Sequence, residues 1–374
     1  MTLKHAVMKQ LVFAKCAFSI ALTLLVVALT FPVAQAADPE SATDLFMGIE
    51  PDAAKGFEAI TTQPMGTPVM KIADLDRIWK VWEPEERAKA EAASPEELRR
   101  MTFERYGWAM RPGDEAPDLP LGYTEDGSGG LVNNCFSCHG GKVAGKTTPG
   151  AGNSHVDLAT LQTDVVRLRA LDAGEDPWAV DTEMPLGIVT NYHKGVTNAV
   201  VLEVLNYVRH NADVMLSVVG NPDMLLHNDM NPPAWWTTKK KARLYCDAFA
   251  PKTPRQNMPF ARPNGKENEE WYALEPTFVH IYEYIEELEP PKYPYEIDRL
   301  LAAQGEELFV QTCAECHGTY GADGDYPNVV VPIEDIGTDS RRLYAVSKKN
   351  REWNNKRWMQ YDGEQPLWLE SEGY

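Results

Sequence analysis

The pattern Cys-x-x-Cys-His occurs twice in this chain, and its residue types and spacing indicate chemistry. The first motif, CFSCH, spans residues 135–139, and the second, CAECH, spans residues 313–317. Two cysteines at this separation can form thioether bonds to the two vinyl groups of a porphyrin, and the histidine that follows can ligate the iron. The two motifs therefore predict two covalently bound haem c groups.

Two other uses of paired cysteines are disfavoured. Zinc ribbons keep their cysteine pairs within about 20 residues of each other, whereas these motifs lie in different parts of the chain. A thioredoxin-like site is expected in a βαβ context, which the flanking sequence does not suggest. Neither alternative needs the histidine that ends each motif. The predicted attachment residues are Cys135, Cys138, Cys313 and Cys316, and the predicted proximal iron ligands are His139 and His317.

The ligand on the far side of each iron decides between electron transfer, which uses a filled position, and peroxide or dioxygen chemistry, which needs an open one. No histidine follows His317, so Met359 is the candidate for the second haem. For the first haem, Met258 precedes a proline, as the ligand does in many cytochromes c, and an open position is equally allowed. Further candidates are His155, His193, His227, Met184 and Met224. His210 and His280 fall on predicted helices and are expected to be structural.

Composition limits the classes of function. The chain has 374 residues, 44% of them hydrophobic and 24% charged, with a formal net charge of -19. This length suits two domains or one large one. The negative charge argues against nucleic-acid binding, which needs a basic face. It suits solubility and docking to a basic redox partner protein.

The N-terminus predicts export. Three lysines precede an apolar run over residues 16–31, and Ala34-Gln35-Ala36 forms a small-x-small cleavage site. We interpret residues 1–36 as a signal peptide cleaved after Ala36, since the run is shorter than the ~20 residues of a usual membrane anchor. We expect a periplasmic protein with no membrane span after cleavage. The remaining cysteine, Cys246, lies in an apolar stretch and is expected to be a buried, inert thiol.

The elements that must position the motifs are predicted to be helices. Ser94 is the predicted N-cap of a helix with Pro95 at its first position and Gly107 at its end. Residues 111–134 are predicted to be loop. The other predicted helices cover residues 74–92, 156–171, 197–210, 237–248, 277–288 and 298–311.

Domain boundaries follow from these elements. Three prolines within residues 290–294 interrupt the helical pattern and predict a stiff linker. The predicted fold is mainly α, with two cytochrome c-like haem domains, the first enlarged by long loops. The predicted segments are a signal peptide (1–36), an irregular N-terminal arm (37–73), the first haem c domain (74–288), a Pro-rich linker (289–297) and the second domain (298–374).

Several short motifs resemble a known family. They are Arg105-Tyr106-Gly107, Leu119-Pro120-Leu121-Gly122-Tyr123, Asn134 with the first CxxCH and Gly140-Gly141, Pro232-Pro233-Ala234-Trp235-Trp236, Lys239-Lys240-Lys241, Phe249-Ala250-Pro251-Lys252, Pro290-Pro291-Lys292-Tyr293-Pro294, and the second CxxCH with Gly318-Thr319-Tyr320-Gly321. Their order resembles the bacterial dihaem cytochrome c peroxidase superfamily, closest to its rubber-oxygenase-like branch. Gly305 and Phe309 also resemble the N-terminal helix of ordinary cytochromes c, where a glycine lets another helix cross and an aromatic ring packs on the haem.

The resemblance implies that one haem does chemistry while the other relays electrons. It also implies a further C-terminal segment with a histidine ligand for the second haem, so we expect a chain shortened at its C-terminus. Two functions stay open: a dihaem electron carrier, and a peroxidase- or oxygenase-type oxidoreductase acting at the first haem. A shortened relative without activity is a third possibility.

Overall fold

The computed structural model describes residues 49–113, 118–180, 193–198, 229–248, 250–261, 268–321, 323–344 and 373. Over these residues the chain is mainly α, as predicted. Its α-helices are α1 (Ala53–Thr62), α2 (Pro84–Ala92), α3 (Pro95–Arg105), α4 (Phe136–His139), α5 (Leu158–Asp172), α6 (Asn268–Glu287), α7 (Arg299–Thr312), α8 (Ala314–His317), α9 (Ile333–Ile336) and α10 (Arg341–Tyr344). No helix among the described residues is both long and apolar enough to cross a membrane.

Strands are short and pair locally. The strands are β1 (Met70–Lys71), β2 (Tyr123–Glu125), β3 (Gly130–Asn133), β4 (Lys142–Val143), β5 (Lys146–Thr147), β6 (Arg243–Leu244) and β7 (Ala250–Pro251). β3 lies between β1 and β2 in an antiparallel sheet, with Thr124 opposite Val132. β4 pairs with β5 and β6 with β7. Residues 111–134 are therefore not all loop: they hold a hairpin that leads directly into the first CxxCH motif.

Several predicted helices are found close to their predicted positions. Ser94 caps α3 by accepting a hydrogen bond from the Glu97 amide. α5 and α7 lie within two residues of their predicted bounds, and α6 begins earlier than predicted. Only the second half of the helix predicted over 74–92 is α-helical, because Pro84 starts a new helix as α2. The helix predicted over 197–210 lies largely outside the described residues.

The predictions for residues 37–73 and 237–248 need correction. The arm predicted to be irregular contains α1, whose Gly56 meets the backbone of α6 so closely that a Cβ there would lie 2.1 Å from the His280 carbonyl oxygen. The helix predicted over 237–248 is instead a 3-10 helix, Trp235–Lys240, followed by β6. Tertiary hydrogen bonds to this segment outweigh its local helical pattern.

Two large clusters of buried side chains lie around the first CxxCH motif and the sheet before it in the described part of the chain. The first joins α2, α3 and α5 to the β1–β3 sheet and includes Trp82, Phe103, Tyr106, Trp108 and Leu168. The second joins α1 and α6 to the first CxxCH motif and includes Ile60, Leu121, Phe136, Phe278 and Ile281. Phe136 is the residue directly after the first cysteine of the CxxCH motif. Its buried ring therefore anchors the motif in the core.

The chain after α6 is more exposed. Residues 288–298 have no regular secondary structure, and 289–298 are exposed. Asp298 caps α7 by accepting hydrogen bonds from the amides of Leu300 and Leu301. No residue of α7 is buried.

Candidate functional site

The first CxxCH motif forms the one-turn helix α4 at the end of the β2–β3 hairpin. Asn134 orients its start: the side-chain amide donates to the Leu121 carbonyl at 3.1 Å, and the side-chain oxygen accepts from the Phe136 amide at 2.9 Å. Cys135 and Cys138 are both partly exposed and neither is in a disulfide. Both sulfurs are therefore available for covalent attachment.

His139 is held by a segment distant in sequence. Its Nδ1 lies 2.9 Å from the carbonyl oxygen of Pro233. A carbonyl only accepts hydrogen bonds, so Nδ1 carries the proton and Nε2 is the unprotonated nitrogen. The indole of Trp235 stacks on the imidazole, with ring centroids 4.6 Å apart and 23° between the planes. Burial lowers the pKa of His139 to about 4, so the ring is neutral at pH 7.

The loop after α4 closes around the motif. The amides of Gly150 and Asn153 donate to the carbonyls of His139 and Cys138, each at 2.7 Å. The Asn153 side chain donates to the carbonyls of Ser137 and Gly107. These bonds satisfy the C-terminal carbonyls that a one-turn helix leaves unpaired. The motif is thereby fixed at its carbonyl end as well as through Phe136.

The thiol of Cys135 is kept protonated. Burial, together with the charge of Cys138, raises its pKa to about 12. A thiol attacks and oxidises much more slowly than a thiolate. The thiolate fraction of Cys135 at pH 7 is therefore small.

The distal-ligand candidates of the first motif are only partly within the described residues. Met258 is 1% exposed and packs in the cluster that contains Phe136 and Phe278. His155 and His193 are exposed. His280 lies on α6, where its carbonyl contacts α1. His210, His227, Met184 and Met224 lie outside the described residues, so their proposed roles stay predictions.

The second CxxCH motif continues directly from α7. The amides of Cys313 and His317 donate to the carbonyls of Phe309 and Cys313, at 2.8 Å and 2.9 Å. Cys313 is partly exposed, and Cys316 and His317 are exposed. The rings of Phe309 and Tyr320 lie 5.4 Å apart. Met359 lies outside the described residues.

The face of α7 presents apolar side chains to the solvent. Leu300 is 80% exposed, and further exposed apolar side chains lie before α7 (Tyr293, Tyr295 and Ile297), on α7 (Leu301, Leu308 and Val310) and after the motif (Tyr320). An added Cβ at Gly305 would have no atom within 4 Å among the described residues. The close helix crossing expected at Gly305 is therefore not seen in the part of the chain that is described.

The four motif cysteines do not form one site. In the described ranges, no group of three or more His, Cys, Asp or Glu side chains is arranged to hold a metal ion. Cys246 corrects a prediction: it is exposed rather than buried, with its Sγ 3.6 Å from the Met230 Sδ. It lies in the turn between β6 and β7, where Tyr245 and Ala248 adopt positive φ, and of the apolar stretch only Leu244 is buried.

Sequence reasoning did not assign the roles of Pro233 and Trp235. They lie about a hundred residues from His139, and no periodicity connects the two segments. The Pro-Pro-Ala-Trp-Trp run marks these residues in the sequence but indicates no contact with His139. A carbonyl oxygen carries no residue-type signature, so the acceptor of Nδ1 could not be read from side-chain identities.

Comparisons with known proteins add little to this geometry. No family model matches the chain. An uncharacterized protein of Sinorhizobium fredii, y4iM, is 32% identical over 67 residues. That match covers 18% of this chain and 14% of the length of y4iM.

Proposed function

We propose that this chain is a periplasmic dihaem c-type cytochrome that transfers electrons. The proposed thioether residues are Cys135, Cys138, Cys313 and Cys316, and the proposed proximal ligands are His139 and His317. The resemblance to the dihaem cytochrome c peroxidase superfamily supports two cytochrome c-like domains on either side of the Pro-rich linker. The cleavage site after Ala36 supports export.

The hydrogen bond between His139 and Pro233 is the observation that carries the proposal. Histidines that bind metals almost always donate their other ring N–H to a carbonyl, carboxylate or water, which fixes the tautomer and raises the basicity of the ligating nitrogen. His139 has this arrangement, at 2.9 Å. Its lowered pKa keeps Nε2 free of a proton and ready to bind iron. A CxxC pair precedes it on the same helical turn.

Both motifs fit a covalently held porphyrin. At the first motif, Cys135 and Cys138 are not in disulfides, and they precede a neutral, oriented imidazole. At the second, Leu308 and Val310 lie in the last turns of α7, close to Cys313, and are exposed. A haem there would cover apolar surface that otherwise faces water. When bound, haem iron supplies one-electron transfer between its ferric and ferrous states.

Residues of the chain would set the conditions of this transfer. The Pro233 carbonyl and the Trp235 indole hold the imidazole of His139 in one orientation, so little reorganisation is needed when the charge of the site changes. The negative net charge would steer a basic redox partner protein towards the surface.

Covalent haem counting tests the proposal. The chain is expressed with its leader in bacteria that attach haem c, and the mature protein is weighed intact. Wild type should carry two haems, and Cys135→Ala/Cys138→Ala and Cys313→Ala/Cys316→Ala should each carry one. Cys246→Ala is the matched control and should keep two. A wild-type protein with no covalent haem would contradict the proposal.

Oxidoreductase activity at the first haem is the second candidate. Met258, one of the candidate distal ligands, is enclosed by apolar side chains of the core, which favours a packing role over ligation. If no other side chain took its place, the iron would be open to peroxide or dioxygen. A high-spin first haem that binds carbon monoxide when reduced would support this candidate. Two low-spin haems that react with neither carbon monoxide nor peroxide would support the pure electron carrier.

A further inference from the structure

A single short helix connects the first CxxCH motif to the region after the second. The 3-10 helix Trp235–Lys240 has six residues, and at about 2 Å per residue it spans about 12 Å. Its first residue, Trp235, stacks on His139, and the carbonyl of Pro233, two residues earlier, accepts from His139 Nδ1. We call residues 233–242 the bridging segment. Its two ends contact different parts of the protein.

The amide of Asn328 holds the far end of the bridging segment. Its side-chain oxygen accepts from the Ala242 amide at 2.6 Å, and its side-chain nitrogen donates to the Lys240 carbonyl at 3.1 Å. One side chain thus pairs with a donor and an acceptor of the backbone, as a strand partner would. Asn328 has a φ of +52°, a region that asparagine tolerates better than most residues.

An ion pair reinforces the contact just beyond the bridging segment. Arg342 Nε donates to Asp247 at 3.0 Å, and the two side chains are 10% and 2% exposed. Charge-assisted bonds of this kind are stronger than neutral ones. Asn328 itself belongs to the loop that follows the second motif, where the Thr319 amide donates to the Asp325 carbonyl at 2.7 Å. The loop after His317 is thereby joined to the segment that holds His139.

We propose that Asn328 is a positioning residue for His139, and this inference rests on the haem role proposed for His139. By fixing Lys240 and Ala242, it holds the 3-10 helix in place and keeps the Pro233 carbonyl on Nδ1 and the Trp235 ring on the imidazole. A weaker hydrogen bond to Nδ1 makes the imidazole a poorer electron donor to iron, which favours the ferrous state. Loosening the far end of the bridging segment should therefore raise the reduction potential of the first haem.

Three variants separate this role from general stability. Asn328→Gly removes the amide and leaves positive φ unstrained. Asn328→Asp keeps the acceptor for Ala242 but loses the donor to Lys240. Arg341→Ala, the control, removes an exposed arginine close to Arg342. Hydrogen exchange is followed at the Ala242 amide and at the Trp235 amide, which donates to Gly150 at the His139 end.

In Asn328→Gly we expect amide exchange about tenfold faster at Ala242, since a hydrogen bond is lost there. We also expect faster exchange at the Trp235 amide and a higher reduction potential of the first haem. The potential of the first haem is assigned as the one that is absent in the Cys135→Ala/Cys138→Ala variant, which lacks that haem. Asn328→Asp should lie between wild type and Asn328→Gly, and Arg341→Ala should match wild type. Faster exchange at Ala242 alone, with Trp235 and the potential unchanged, would overturn the inference. If no haem is attached at the first CxxCH motif, the proposed function fails. Hydrogen exchange at the Trp235 amide still decides whether Asn328 positions His139.

Discussion

The indole of Trp235 and the imidazole of His139 stack with 4.6 Å between ring centroids and 23° between their planes. An aromatic pair contributes about 1 kcal/mol beyond the area it buries. Trp235→Leu should therefore lower the free energy of unfolding by at least about 1 kcal/mol, whereas Trp235→Phe should lose less because it keeps a ring over His139. Urea unfolding of the three proteins measures this difference. Equal stability of the Leu and Phe variants would show that the stacking contributes nothing.

The crossing of α1 and α6 requires a glycine at position 56. A Cβ there would lie 2.1 Å from the His280 carbonyl oxygen. Gly56→Ala should push the helices apart and cost about 1–3 kcal/mol of unfolding free energy, the usual effect of overpacking. Thermal and urea denaturation measure the change.

Gly305→Ala is the matched control for Gly56→Ala. Gly305 is also helical, but an added Cβ meets no atom within 4 Å among the described residues. Replacing glycine by alanine in an open helix stabilises it by about 0.5–1 kcal/mol. A strong loss of stability in Gly305→Ala would instead reveal the helix crossing that the cytochrome c resemblance implies.

Asp164 is a buried acceptor that joins three side chains. It accepts from Arg105 Nε at 2.7 Å and from the Tyr106 hydroxyl at 2.9 Å, and that hydroxyl accepts from the Trp82 indole N–H at 3.2 Å. Asp164→Ala leaves buried donors unpaired and should cost about 3 kcal/mol. Asp164→Asn, which keeps an acceptor, should cost less. Glu85→Ala is the control: it removes the exposed partner of Lys89 and should change the free energy of unfolding little. An equal loss of stability in the Asp164→Ala and Glu85→Ala variants would refute the role of the network.

Asp126, in the turn between β2 and β3, should make the stability of the protein depend on pH. Its carboxylate accepts from the amides of Ser128 and Gly130 and from the Ser128 hydroxyl, each at 2.8 Å, and these bonds lower its pKa below the ordinary 3.8. A depressed folded-state pKa adds stability above pH 3.8 that is lost as the pH falls through the folded value. The difference in melting temperature between wild type and Asp126→Ala should therefore shrink below pH 3.8.

Ser128→Ala checks the origin of this effect. It removes the hydroxyl donor and keeps both backbone amides, so its melting temperature should lie between those of wild type and Asp126→Ala at neutral pH. A wild-type advantage over Asp126→Ala that persists unchanged well below pH 3.8 would mean that the charge of the carboxylate is not the cause.

Local sequence signals determined much of this protein. The two CxxCH motifs predict the residues of both proposed haem sites, because covalent spacing is a property of adjacent residues. Ser94 and Pro95 begin α3 as predicted, and α5 and α7 lie near their predicted bounds. These features depend on capping groups and apolar periodicity within one turn or one helix, which a sequence displays directly.

Only the tertiary structure decided what surrounds the motifs. The Pro233 carbonyl on His139, the Asn328 amide on Lys240 and the close contact at Gly56 all join segments far apart in the chain. Long-range hydrogen bonds also replaced the helix predicted over 237–248 with a 3-10 helix and β6. Backbone carbonyls and amides are the same in every residue, so their pairing across the fold leaves no mark in the order of side chains.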